Sequence, residues 1–255
     1  MPPSSGRNIR LSLPRRFIGD LVHFAKQVPT VPVQRRMHLA EVSGARLLAQ
    51  PRPSWCAVFT KAFALVAGAR PELRRAYLAF PSPHLFEAGG NVASIAVERR
   101  IGEEDAVLFG RVTGPEQRSL AALDEKIRLF KQAPVEKVGS FKQALSISRL
   151  PLQLRRLVWW AGLNVSGKYR SQKLGTFGVS SYSGLGANSL HPLSPLTIAL
   201  NYGPVESNGQ VDVRLIYDHR VMDGSTVARA LAEMEQVLEG EILAELREMR
   251  QAKVA

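Results

Sequence analysis

An alternation of polar and apolar residues in the segment Val211–Tyr217 predicts one strand of a β-sheet. Polar Asp212 and Arg214 alternate there with Val213 and Leu215. Successive side chains of a strand point to opposite faces of its sheet, so one face of this strand must be buried against another layer. The chain is therefore expected to build a packed sheet around this segment.

Apolar periodicity, together with Gly and Pro residues, divides the rest of the chain into further elements. Helices are predicted at 13–27, 55–69, 115–131 and 225–238, followed by a charged closing helix. Strands are predicted at 76–80, 91–98, 106–111, 176–182 and 196–202, and an extended segment at 31–42. This order of elements predicts a mixed α+β fold in one domain over residues 1–255.

The composition is that of a globular protein, with 45% hydrophobic and 22% charged residues. No stretch approaches the roughly 20 apolar residues that cross a bilayer, and no apolar run follows the N-terminus as in a secretory signal. The single cysteine, Cys56, excludes an internal disulfide framework and fits a reducing compartment. The prediction is a cytoplasmic protein.

A net charge of +12 favours anionic partners, and much of it lies in one block. Residues 137–173 contain eight Lys or Arg residues and no Asp or Glu. Nucleic acid is not favoured as a partner, because this basic block contains no recognised reader motif.

His219 is the strongest candidate for a chemical role. It follows the predicted strand and precedes a helix that begins near Gly224, and Asp223 stands four residues after it. A neighbouring carboxylate can orient an imidazole that acts as a general base. The spacing alone is common in proteins without such a role. No metal site is predicted, because the other histidines lack paired ligand spacing.

The residue types around His219 are more specific evidence than the four-residue spacing between His219 and Asp223. Residues 218–224 read Asp-His-Arg-Val-Met-Asp-Gly, which closely resembles the Asp-His-Arg-x-x-Asp-Gly signature of the 2-oxoacid dehydrogenase acyltransferase catalytic domain. Residues 175–181 resemble that family's Gly-Thr-Phe-Thr-Ile-Ser segment. The resemblance extends over roughly residues 13–238. It implies a chloramphenicol acetyltransferase-like two-layer sandwich, with a mixed β-sheet flanked by helices, and an acyltransferase of the EC 2.3.1 type.

The resemblance also implies roles for individual residues. His219 would take a proton from a thiol or hydroxyl nucleophile that attacks an acyl thioester. Ser180 would donate a hydrogen bond to the tetrahedral oxyanion, with Ser181 as the second choice. Asp223 would orient the site, and the neighbouring Asp218 is expected to cap the turn or face solvent. The partners considered for Asp223 are two arginines of the opening helix, Arg15 and Arg16.

The substrates and the assembly follow from the same resemblance. Coenzyme A thioesters are the expected donors, and the basic candidates for holding coenzyme A are Lys168, Arg170 and Lys173. The chain is expected to carry no lipoyl group of its own, so a lipoyl or acyl carrier would act in trans. A homotrimer with its active site between subunits is expected.

The segment 137–173 departs from the family pattern and reads as a basic insertion that contains tryptophan. Trp159 and Trp160 follow Arg155 and Arg156 within a few residues. Three interpretations stay open: a helix that packs between subunits with both tryptophans in a core, contact with a membrane or lipid through the tryptophans, and binding of a cofactor. The second would place a cytoplasmic protein at the membrane periphery.

Three functions are consistent with these features. The first is a stand-alone acyltransferase that moves an acyl group from acyl-coenzyme A to a hydroxyl, amine or thiol. The second is the catalytic core of a split 2-oxoacid dehydrogenase complex served by a separate lipoyl carrier. The third is a non-catalytic trimeric scaffold or membrane-associated protein.

Overall fold

Strands from both halves of the chain form one six-stranded mixed sheet in the computed structural model, which describes residues 6–251. In spatial order the strands are β1 (Thr30–His38), β8 (Gln210–Asp218), β7 (Ile198–Tyr202), β6 (Phe177–Ser180), β4 (Val92–Ile101) and β5 (Glu104–Thr113). Strand β6 runs parallel to both of its neighbours, and the other pairs are antiparallel. Two short strands, β2 (Arg75–Leu78) and β3 (His84–Glu87), form a separate hairpin. The expected mixed sheet flanked by helices is confirmed.

The helices lie on both faces of this sheet. They are α1 (Leu13–Ala25), α2 (Ala40–Leu48), α3 (Trp55–Ala69), α4 (Leu120–Gln132), α5 (Gly139–Ser148), α6 (Leu152–Asn164), α7 (Gly167–Lys173), α8 (Gly224–Val237) and α9 (Leu243–Gln251). Side-chain oxygens of four serines accept hydrogen bonds from backbone amides in the first turns of α1, α3, α4 and α7, which satisfies donors that a helix start leaves free. These caps are those of Ser12, Ser54, Ser119 and Ser166.

Alternation along the strands separates two apolar clusters. One face carries the main core, in which the buried helix α3 packs Phe63 edge-on against Phe177 of β6 at 4.7 Å between ring centroids. On the other face a smaller cluster joins α1 to α6, where Trp159 contacts Phe17 and Phe24. The second face is covered by α1, α5, α6 and α7 over only part of its width.

Most element boundaries follow the sequence pattern, and the exceptions have local causes. Helix α3 matches its prediction residue for residue. The predicted helix at 115–131 begins only at Leu120, because Ser119 caps it and residues 115–117 form a separate 3-10 turn. The extended segment at 31–42 is wrong beyond His38, where α2 begins at Ala40.

The basic segment 137–173 forms three consecutive helices. Helix α6 continues through Gly162, where a Cβ atom would lie 3.4 Å from the ring of Tyr169. Trp159 is only 7% exposed, so it is not available for contact with a membrane. Trp160 is 39% exposed and lies edge-on to Phe80. Within residues 6–251, each helix is too short or too polar to span a bilayer.

Candidate active site

His219 stands at the point where β8 leaves the sheet. Its backbone amide donates to the carbonyl of Pro29 at 3.1 Å, which ties the residue to the start of β1. The ring lies 5.5 Å from that of Tyr217, and half of the side chain is exposed. A rigid strand therefore presents an imidazole that solvent and a ligand can reach.

Asp223 approaches His219 but does not hold it by a hydrogen bond. The distance from His219 Nδ1 to Asp223 Oδ1 is 3.7 Å, longer than hydrogen-bond length. Asp223 is 82% exposed and precedes α8 without capping it. Burial, and secondarily the charge of Asp223, raise the pKa of the Tyr217 hydroxyl. This hydroxyl lies beside Gly224, and a Cβ atom on Gly224 would be 3.3 Å from it. The His219 imidazole and the Asp223 carboxylate are thus neighbours that share no direct hydrogen bond.

Asp218 is fully buried, so it does not face solvent, and of the two expectations the one that it caps the turn is confirmed. Its carboxylate accepts from Arg220 at 2.9 Å from Nε and 2.8 Å from Nη2, and from the Arg220 backbone amide at 3.0 Å. The Arg220 guanidinium in turn lies 4.2 Å from the centre of the Tyr77 ring. This bidentate pair on either side of His219 fixes the turn that carries the imidazole.

Ser180 ends β6, on the same strand face as Gly178. Its carbonyl accepts from the Asn201 side chain at 2.7 Å, and among the described residues its hydroxyl has no hydrogen-bond partner. Ser181 differs, because its hydroxyl donates to the Tyr202 carbonyl at 2.9 Å and accepts from the Ser183 amide at 3.1 Å. Of the two serines, Ser180 has the hydroxyl that is free for a ligand.

One chain does not bring Ser180 and His219 together. Ser180 pairs with Asn201 on β7, and Asn201 pairs with Arg214 on β8. Arg214 is therefore two strands away from Ser180, and His219 follows Arg214 by five residues along the chain. With strand spacings of about 4.8 Å and rises of about 3.3 Å per residue, the two Cα atoms are about 19 Å apart. A hydrogen bond from Ser180 to a group at His219 is therefore excluded within the chain.

The two arginines considered as partners of Asp223 are engaged elsewhere in the chain. Arg15 Nε lies 2.5 Å from Glu104 Oε1, and Arg16 Nε donates to the Leu11 carbonyl at 3.2 Å. The expectation of a pair between α1 and Asp223 is wrong within one subunit.

The three basic candidates for coenzyme A differ in exposure. Arg170 is buried and donates to the carbonyls of Tyr77, Leu163 and Pro195 at 2.7 to 3.1 Å. Burial lowers its pKa to about 10, against the favourable charge of Asp218. Its donors hold the surrounding loops, whereas Lys168 and Lys173 are exposed. Within residues 6–251, no three His, Cys, Asp or Glu side chains cluster as a metal site would require.

A basic residue that the sequence pattern did not single out, Arg111, lies on the second face of the sheet. Arg111 lies on the face of β5 that borders a cavity of about 110 Å³, and helices α1, α5, α6 and α7 cover this cavity. Only the alternation within β5 could have suggested that this side chain points toward the helices rather than away from them.

No protein-family model and no curated protein sequence matches this chain, but solved structures share its fold. Dihydrolipoamide acetyltransferase of Azotobacter vinelandii superposes with a TM-score of 0.71 at 18% identity, over 96% of this chain and 95% of that one. The cubic core of a pyruvate dehydrogenase multienzyme complex gives 0.67 at 19% identity, over 96% and 98%. The truncated catalytic core of a Thermoplasma acidophilum 2-oxoacid dehydrogenase complex gives 0.65 at 16% identity, over 92% and 99%.

These similarities confirm the fold that the sequence motifs implied. The Azotobacter structure was determined to examine the catalytic roles of a serine, a histidine and an asparagine, the last four positions after the histidine. In this chain the residue four positions after His219 is Asp223.

Proposed function

We propose that this protein is an acyltransferase whose active site forms between two subunits, with His219 of one and Ser180 of the other. The observation that carries the proposal is that both side chains are accessible and free, yet lie at opposite ends of the same sheet. A general base and an oxyanion donor must both reach the reacting carbonyl within hydrogen-bond distance. Only a second copy of the chain could supply the missing partner.

The fold supports the proposal. The neighbours with this architecture include a dihydrolipoamide acetyltransferase and cores of 2-oxoacid dehydrogenase complexes, one of them described as cubic. A closed homotrimer would repeat one heterologous contact three times and so generate three equivalent sites. The exposed edge strand β1, next to the turn that carries His219, leaves this end of the sheet open to such a contact.

The mechanism assigns one task to each side chain. His219 accepts the proton of a thiol, hydroxyl or amine as that group attacks the thioester carbonyl. The Ser180 hydroxyl of the adjacent subunit donates a hydrogen bond to the oxyanion of the tetrahedral intermediate. Collapse of the intermediate expels the thiolate of the donor, which regains a proton from His219. Asp223 stabilises the imidazolium by its charge, since it lies beyond hydrogen-bond length.

The donor is proposed to be acyl-coenzyme A, with phosphates held by exposed lysines such as Lys168 and Lys173. The acceptors to test are hydroxyl and amine compounds and, in addition, dihydrolipoamide on a carrier in trans, because the fold neighbours include a dihydrolipoamide acetyltransferase. A scaffold without activity remains the alternative if none of these acceptors is used.

The first test measures thiol release from acyl-coenzyme A with hydroxyl, amine and dihydrolipoamide acceptors. His219→Ala should lower kcat by about 10²- to 10⁴-fold, the range of a general base. His84→Ala is the matched control, because His84 is exposed on the separate hairpin. Equal activity of both variants would remove His219 from the mechanism, and an inactive wild type with every acceptor would favour the scaffold.

The second test asks whether the two residues come from different subunits. His219→Ala and Ser180→Ala chains should each be nearly inactive, but co-expression should restore one intact site in each mixed trimer, about one site in three. Purification on two different tags isolates the mixed assemblies from the homotrimers. Mixed assemblies as inactive as either parent would contradict a shared site.

A further inference from the structure

The cavity on the second face of the sheet is closed by apolar side chains on several sides. Phe17 and Leu21 of α1, Ile147 of α5 and Trp159 of α6 form much of its wall. Its volume of about 110 Å³ is several times the roughly 10–15 Å³ that a single water needs, and a cavity with such walls is a poor site for water. The shape and chemistry of the cavity suit a flexible aliphatic group.

The cavity has a cationic end. Among the residues that line it are Arg111 and Lys173 and no carboxylate. Arg111 is half-buried, and its burial lowers the pKa of the guanidinium. The guanidinium donates to the Lys173 carbonyl and to the Gln143 side chain, the latter at 3.1 Å, and has no acidic partner among the described residues. A partly desolvated cation without a counter-charge favours the binding of an anion beside it.

Strand register places this cavity beside Ser180. Ser94 of β4 pairs with Arg111 on one side and with Gly178 on the other, so these three residues form a row under the cavity. Ser180 is the next residue after Gly178 on that face of β6.

From these observations we infer that the cavity binds an unbranched aliphatic chain that carries an anionic group. The chain lies along Trp159 and Phe17, and the anion pairs with Arg111 and Lys173. A free fatty carboxylate has both features, whereas an acyl-coenzyme A supplies only the aliphatic chain here, because its thioester is uncharged and its phosphates lie beyond the long pantetheine arm. The position beside Ser180 makes the cavity a selector of acyl-chain length, and this last point alone rests on the proposed acyl transfer.

The experiment measures binding to the full chain by calorimetry, without turnover, so that an absence of acyl transfer does not affect it. The probes are decanoate, decanoyl-coenzyme A and uncharged decanol. Decanoate should bind at one site per chain and decanol about tenfold more weakly, since it cannot form the charged hydrogen bonds to Arg111. Binding of decanoate supports the inference, whereas binding of decanoyl-coenzyme A without binding of decanoate would contradict an anion site at Arg111.

Two variants of the cavity, each with a matched control, locate the site. Ala144→Phe fills the cavity from α5 and should abolish binding of whichever charged probe binds, whereas Ala122→Phe on the exposed face of α4 should not. Arg111→Met should weaken decanoate binding about tenfold and Arg118→Met should leave it unchanged. Circular dichroism confirms that each variant is folded, and the Arg111 pair tests the site if the Ala144 variant does not fold.

A fluorescence measurement gives an independent position. The bromine of 11-bromoundecanoate quenches tryptophan at contact, so the wild type should lose emission and a Trp159→Phe protein should lose much less. The inference is overturned if decanoate does not bind, if Ala144→Phe binds it as the wild type does, or if decanol binds as tightly as decanoate.

Discussion

At the scale of single residues, the two adjacent serines have different roles in the structure. The hydroxyl of Ser181 bonds within the chain, whereas that of Ser180 does not. Ser180→Ala should therefore reduce kcat by about 10²- to 10³-fold, as loss of an oxyanion donor does elsewhere, with little change in the thermal midpoint. Ser181→Ala should instead lower the midpoint and spare most of kcat. Steady-state kinetics with both proteins checks this, and a reversed pattern would make Ser181 the donor.

The buried Asp218 gives a stability prediction at the same scale. Asp218→Asn removes the charge that pairs with Arg220 and should destabilise the fold by about 2–3 kcal/mol, somewhat less than a fully buried pair, because Arg220 reaches solvent. The control is Asp105→Asn, because Asp105 and its partner Arg100 are both exposed. This substitution should change stability by less than about 0.5 kcal/mol. Urea denaturation compares the two, and equal effects would refute a structural role for Asp218.

The sequence predicted the position of His219 in the fold better than it predicted the surroundings of the candidate residues. The sequence places His219 after a strand, and the structure has it there. The burial of Asp218 was missed because the residues that enclose it, Tyr77 and Arg170, are distant in the sequence. Which of two adjacent serines has a free hydroxyl likewise depends on Tyr202, a residue of another strand.

At the scale of elements, α6 attaches to the sheet through one of its two tryptophans. Trp159→Ala should destabilise the protein by about 3–5 kcal/mol, because it empties a packed site between α1 and α6. Trp160→Ala removes a half-exposed ring and should cost about 1 kcal/mol. Thermal or urea unfolding compares them. The membrane interpretation now concerns Trp160 and its neighbours, and liposome flotation of the Trp160→Ala protein tests it separately.

Elements with a clear local signal were predictable, and those set by distant partners were not. Helix α3 is apolar nearly all round and starts at a serine cap, so its limits follow from its own residues. Helix α2 was missed because it has no side-chain cap and contains Gly44, and its burial against α9 could not be read locally. Strand β3 was missed because it is four residues long and mostly exposed.

At the scale of the whole molecule, the proposed site requires an assembly. Light scattering of the purified protein should give a mass about three times the 28.1 kDa of the chain. Arg35 and Arg36 on the exposed edge strand already pair with Glu235 and Asp212 in their own chain. Raised salt should for that reason leave the mass largely unchanged. A monomeric mass at micromolar concentration would contradict the shared site.

The separation of about 19 Å between Ser180 and His219 also determines how activity depends on protein concentration. An enzyme with both groups in one chain keeps its turnover per molecule on dilution. Here each molecule alone would have half of a site, so turnover per molecule would fall steeply once dilution dissociates the subunits. The cell could then set the rate through the amount of protein made, with a threshold below which the chain is inert.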